Sequence, residues 1–213
     1  MEGTRYIGKI YSLCEWITRL AYLNILWILF TFAGLILFGL VPATTAMFAV
    51  TRKWVLGNSD IKIFTTFWEI YRKEFIKVLP FGLVLILIGF VFWIDYQFYI
   101  QGNVDIVLPV KFLVAALFIL YVLFLFFIFP VYVHYQFKPL QYMKNVLMIV
   151  LSYPLECILM ICGSLFMFLF VINFSGLSLF LSGSPLAFWL TLISHHVFSK
   201  MEQKIKHSGV DQI

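Results

Sequence analysis

Residues 20–41 read LAYLNILWILFTFAGLILFGLV, twenty-two positions without a charged side chain. A helix needs about 20 consecutive apolar residues to cross the hydrocarbon of a bilayer. Inside hydrocarbon every backbone N–H and C=O must be satisfied by the protein itself, which leaves helices or closed barrels. Barrel strands alternate apolar and polar residues over about ten positions, and this stretch does not alternate. It predicts a membrane helix. Working outward, comparable runs predict spans at 78–94, 112–133, 155–174 and 179–198. The expected fold is all-α: a polytopic transmembrane helical bundle of about five spans, one integral membrane domain over residues 1–213.

Composition agrees. The 213 residues are 63% hydrophobic, 20% aromatic and 12% charged, whereas soluble domains carry about 25% charged residues. A soluble chain of this size has too little interior to hide so much apolar surface. The amino-terminal stretch holds Glu2, Arg5, Lys9, Glu15 and Arg19 and no small-residue cleavage site, so the first apolar run is expected to stay in the membrane. Cys14, Cys157 and Cys162 are scattered and read as packing residues.

The first run does not end cleanly. After Val41 come Pro42, the apolar stretch Ala43–Val50, and then Thr51-Arg52-Lys53. That is too long for one span and too short for two, so the reading is one span over 20–41, a bend at Pro42 and a second short helix. Gly57 suits the end of that helix, and Ser59 or Asp60 the cap of the next. Residues 60–77 are amphipathic: Phe64, Phe67, Trp68, Tyr71, Phe75 and Val78 on one face, and Lys62, Thr65, Glu69, Arg72, Lys73 and Lys77 mostly on the other. Glu69 and Lys73 have the spacing of an i,i+4 pair. This pattern predicts an interfacial helix in the headgroup plane. A short helix is expected before Ser152-Tyr153-Pro154, and turns at Gly102-Asn103 and Ser175-Gly176-Leu177-Ser178.

Lys and Arg concentrate on cytoplasmic segments. Segment 42–77 has Arg52, Lys53, Lys62, Arg72, Lys73 and Lys77; segment 134–146 has Lys138 and Lys144; the tail has Lys200, Lys204 and Lys206. Loop 95–111 has only Lys111. The carboxyl terminus is therefore expected in the cytoplasm of a cell membrane. Five full spans then put the amino terminus outside, against Arg5, Lys9 and Arg19. A re-entrant hairpin over 20–56 puts both termini inside. Both readings stand at this point.

No phosphate-binding loop, HExxH, paired CxxC or nucleophile elbow occurs. No cofactor, no metal and no catalytic residue is expected, and the net charge of +5 follows from topology and anionic lipid rather than nucleic acid. What remains is polar residues at membrane depth, which are costly there. Asn24, Thr44, Thr45, Arg52, Glu156, His195 and His196 form the candidate polar membrane site. Asn24 and Thr31 lie seven apart on one helix face, as do Thr45 and Arg52; they suit interhelical hydrogen bonds or the lining of a broken-helix site. Glu156 is the acidic residue inside a span. Folding the last two spans about residues 175–176 sets it opposite His195, so a Glu156–His195 or Glu156–His196 contact is expected. Gly82 and Gly89 are expected to let helices approach closely.

Asn24-Ile25-Leu26-Trp27, a glycine-containing apolar run, Pro42-Ala43-Thr44-Thr45-Ala46-Met47-Phe48, Arg52-Lys53 and Phe64-Thr65-Thr66-Phe67-Trp68 together resemble the YesL family of bacterial integral membrane proteins. That family is a domain of unknown function whose genes tend to sit beside carbohydrate-uptake and polysaccharide-degradation genes. The resemblance implies a role connected with sugar import or sensing and carbohydrate-transport components as partners, beside the lipid bilayer. The expected function is a non-enzymatic accessory or interaction component. The alternative is a small transporter or channel using the Pro42 break and the Glu156 region.

Overall fold

The computed structural model describes residues 2–100, 108–135, 139–174, 176 and 180–207. Among them the chain is a bundle of helices: α1 Glu2–Ala33, α2 Leu37–Val55, α3 Ile63–Ile100, α4 Leu108–His134, α5 Pro139–Ser152, α6 Pro154–Asn173 and α7 Ser184–His207. Four segments are long and apolar enough to cross a membrane: Tyr11–Ala33, Ile63–Phe98, Pro109–His134 and Pro154–Asn173. The turn expected at Gly102-Asn103, most of that expected at 175–178, and Lys138 lie outside the described residues.

The centre of the bundle is α2, which touches α1, α3, α4 and α7. Twelve of its nineteen residues are buried, which marks it as the helix others pack around rather than one facing lipid. Ala43, Ala46 and Ala49 explain the position, because small side chains let neighbouring backbones come close.

The first helix is broken as expected, but not at Pro42. Pro42 lies inside α2, and the chain reverses at Gly34-Leu35-Ile36, so α1 and α2 form an antiparallel hairpin. Trp16 packs edge-on against Trp54, Trp27 Nε1 donates to Thr44 Oγ1 at 3.0 Å, and Arg19 donates to the Ser59 carbonyl at 2.7 Å. Leu35 and Ile36 have φ of 59° and 61°; with ψ −68° Ile36 is the centre of a γ-turn, Leu37 N–H donating to Leu35 O at 2.7 Å, a strained conformation for an L-residue. The turn satisfies its own backbone: Gly34 N–H donates to Phe30 O at 3.1 Å, Leu35 to Phe32 O at 3.0 Å and Ile36 to Thr31 O at 2.9 Å. An apolar environment demands this, and the tip is apolar throughout, with Leu35 78% exposed. Gly34 and Gly39 lie backbone against backbone with no room for a Cβ on either, so the turn needs both glycines.

Residues 60–77 and 78–94 are not two elements. They join in one 38-residue helix, α3, that runs through Pro80; membrane helices tolerate an internal proline where neighbours re-satisfy the freed groups. The apolar face of its first half is turned largely into the protein, with Phe67, Tyr71 and Val78 buried while Phe64 and Trp68 stay half out. Lys62, Glu69, Arg72, Lys73 and Lys77 are exposed. No Glu69–Lys73 pair forms; Glu74 takes Lys77 at 3.5 Å and the Tyr132 hydroxyl at 2.7 Å instead. Gly57 ends α2 as expected, with φ 90°.

Helices α3 and α4 run antiparallel but stand apart. Tyrosines bridge the gap, with Tyr121 donating to Leu85 O at 2.7 Å and Tyr132 to Glu74. Gly82 and Gly89 face Val41 and Tyr121, where a Cβ would collide. The short helix expected before Pro154 is α5, packed on α4 and α6. The helix expected at 179–198 begins at Ser184 and continues to His207.

Candidate functional site

The polar residues singled out by the sequence fall into three places. Asn24 is fully buried on α1 and faces the start of α7. Its Oδ1 accepts the backbone N–H of Gly183 at 2.9 Å and of Ser184 at 3.1 Å, and its Nδ2 donates to Ser182 Oγ at 3.3 Å. The first N–H groups of a helix have no partner within it, and Asn24 supplies one from across the bundle. Ser184 Oγ closes the exchange by donating to Leu20 O at 2.7 Å. Asn24 is a helix cap in trans.

Thr44, Thr45 and Thr31 are occupied locally. Thr44 accepts from Trp27 and donates to Leu40 O at 2.7 Å. Thr45 donates to Val41 O at 2.9 Å and Thr31 to Trp27 O at 2.7 Å. Between α2 and α7, the hydroxyls of Thr51 and Thr191 meet at 2.8 Å.

Arg52 and His195 come together, though not with Glu156. They line a crevice between α2, α4 and α7 with His134, Thr191 and Ser194. Arg52 Nε donates to His134 Nδ1 at 3.3 Å, and His134 Nε2 lies 3.8 Å from Glu202. Ser194 Oγ is buried there without a protein partner. The crevice encloses about 10 Å³, room for about one water.

The expected Glu156–histidine contact is corrected. Glu156 is buried and accepts from Lys200 Nζ at 2.7 Å. His195 lies on the Arg52 side of α7, while exposed His196 is near enough to act on Glu156 electrostatically but makes no hydrogen bond to it among the described residues. Helix α6 ends at Asn173 and α7 begins at Ser184, and the two pack against each other with position 156 opposite 200, as the Glu156–Lys200 bond shows. A lysine stem also reaches back along apolar surface more easily than an imidazole.

Sequence reasoning missed His134, Lys200, Thr191 and Ser194. The first two were visible only as charges at span ends; nothing in the local sequence marks the hydroxyls. Among the described residues no group of three or more His, Cys, Asp or Glu could hold a metal. Arg52 with His134 can hold a small polar group, and Lys200 neutralises a buried carboxylate.

Residues 20–96 match the family described as "Protein of unknown function, DUF624". Three proteins of Bacillus subtilis (strain 168) are similar along most of their length. "Uncharacterized protein YteU" is 34% identical, the match covering 100% of this chain and 94% of that one. "Uncharacterized protein YesL" is 35% identical over 90% of each chain. "Uncharacterized protein YesV" is 34% identical over 75% of this chain and 78% of its own. No solved structure matches.

Proposed function

This chain belongs to the DUF624 family of proteins of unknown function, and from that premise we propose that it is a non-enzymatic accessory or interaction component of a bacterial cell membrane, associated with carbohydrate uptake or sensing. One observation carries the accessory part: Asn24, the threonines and Glu156 at membrane depth are occupied by the bundle itself, while Ser194 Oγ is buried in a crevice too small for a path. Asn24 caps α7, the threonines bond their own helices or each other, and Glu156 bonds Lys200. A transport route needs polar groups facing a water-filled path. The crevice at Arg52, with its room for about one water, offers none. The sugar association rests on the family resemblance alone.

The hairpin supports a sidedness. If α1 and α2 enter and leave on one side, the amino terminus joins the basic segments in the cytoplasm. Of 15 Lys and Arg residues, Lys111 alone then lies on the opposite face, which suits the charge rule better than five full crossings. The exposed Lys62, Arg72, Lys73 and Lys77 form a cytoplasmic stripe for anionic lipid or an acidic partner surface.

Affinity purification of the tagged full chain from native membranes tests the reading. Carbohydrate-transport components are expected to co-purify, and replacing the four basic residues by glutamine is expected to reduce their recovery. Solute movement into vesicles by the purified chain alone, with no partner recovered, would establish the transporter instead.

A further inference from the structure

The crevice between α2, α4 and α7 gathers hydrogen-bond donors and a charge that the bundle leaves uncompensated. Arg52, Ser194 and His195 line it, with Thr191 and His134. Ser194 is fully buried, and its Oγ has no hydrogen-bond partner. Other hydroxyls on these helices turn back to their own backbone, Thr45 to Val41 O at 2.9 Å and Thr191 to Ala187 O at 2.6 Å. A helical serine has the same option, yet Ser194 does not take it. A buried hydroxyl without a partner is costly, so something in the crevice is wanted.

Arg52 is half-buried and permanently charged. Its Nε donates to His134 Nδ1 at 3.3 Å, which leaves the other guanidinium N–H groups uncommitted. Among the described residues no ion pair includes it. Glu202 lies 3.8 Å from the opposite nitrogen of His134, so the imidazole stands between that carboxylate and Arg52. Because His134 Nδ1 accepts, it carries no proton and offers the crevice no donor of its own. A water would satisfy Ser194 but leave the Arg52 charge without a partner, and burial makes that expensive. An anion answers both needs. The crevice encloses about 10 Å³, the space of about one water, which excludes phosphate, sulfate and organic acids by size. It lies at the last turn of α2 and the end of the segment Pro109–His134, a depth that aqueous ions reach.

We propose that this crevice binds one chloride ion. The ion accepts from the Arg52 guanidinium, from Ser194 Oγ–H and from a ring N–H of His195, and so ties α2 to α7. His134 acts on it indirectly, as the acceptor that orients Arg52. The site stands whether or not the chain is an accessory component.

The test melts the purified full chain in detergent, in sodium chloride and in sodium gluconate at equal ionic strength. Chloride at about thirty times its half-saturating concentration is expected to raise Tm by about 4–8 °C over gluconate. Bromide is expected to replace chloride, and sulfate to fail. Ser194→Ala is expected to raise the half-saturating concentration about fivefold, the factor of one hydrogen bond. Arg52→Gln is expected to remove the response; should that chain not fold, Ser194→Ala decides. Equal melts of the unaltered chain in the two salts overturn the proposal and leave the crevice to a water. So does a chloride response left unchanged by Ser194→Ala or by Arg52→Gln, which places the ion elsewhere.

Discussion

Helices α1 and α2 meet as a tight hairpin, whereas α3 and α4 are a splayed pair bridged by tyrosine side chains. The tight pair buries Asn24, Thr31, Thr45 and Thr51; of the described residues in the splayed pair, Thr66 is the one buried polar side chain. The four membrane-length segments show the same inversion, since the least apolar of them, Tyr11–Ala33, is the most buried. In water the most apolar helix goes to the centre. In lipid the solvent is itself apolar, so association is driven by close packing and hydrogen bonds. Small and polar residues accordingly mark the α1–α2 contact, whereas α4 exposes its first half and sends Phe124, Phe127, Ile128 and Val131 of its second half into the core.

Three substitutions can break that contrast. The largest effect is expected from Gly39→Ala, because the new Cβ meets the backbone carbonyls of Thr31 and Phe30, which cannot swing aside as a side chain would. A loss of about 3 kcal/mol, or roughly 6–12 °C in Tm, is expected in detergent melts. An unchanged melt would falsify the tight turn. Next comes Asn24→Ala, which strands the Gly183 and Ser184 N–H groups and is expected to remove about 2 kcal/mol, or roughly 4–8 °C. Asn24→Asp keeps the acceptor and should lose less; equal losses would mean that the capping bond is not what Asn24 contributes. The smallest effect falls on the splayed pair. Tyr121→Phe deletes one bridge to a carbonyl already within a helix, for about 0.6 kcal/mol. A loss as large as that of Asn24→Ala would show that α3 and α4 depend on each other far more than their separation suggests.

Some of this arrangement was legible in the chain. The uncharged runs predicted helices in the right places, as Leu108–His134 and Pro154–Asn173 show against expected spans of 112–133 and 155–174. The break in the first helix was legible as a break, but Pro42 drew the attention that Gly34 and Gly39 needed. A proline advertises itself locally, whereas a pair of glycines signals a turn only if their backbones touch. Glu156 was rightly singled out as an acid needing a partner. Its partner was misplaced by one helical turn because the length of the connection between α6 and α7 was not readable from its residues.

The family resemblance read from Asn24 through Trp68 held, since the chain belongs with YteU and YesL. The candidate polar residues lie in separate places in the bundle. Asn24 went to the cap of α7, Thr44 to Trp27, Arg52 to His134, and Glu156 to Lys200. Each needed a partner, and each partner lies on another helix or several turns away.

By itself, then, the sequence determined that this chain is helical and belongs in a membrane. Both follow from one-dimensional quantities: the length of apolar runs and the obligation of the backbone to bond itself in hydrocarbon. Tertiary structure alone decided that the first helix doubles back, that α2 is the core, and that α3 and α4 part to leave a groove. Those outcomes depend on which backbones can approach, and close approach is a property of two surfaces meeting rather than of either segment alone.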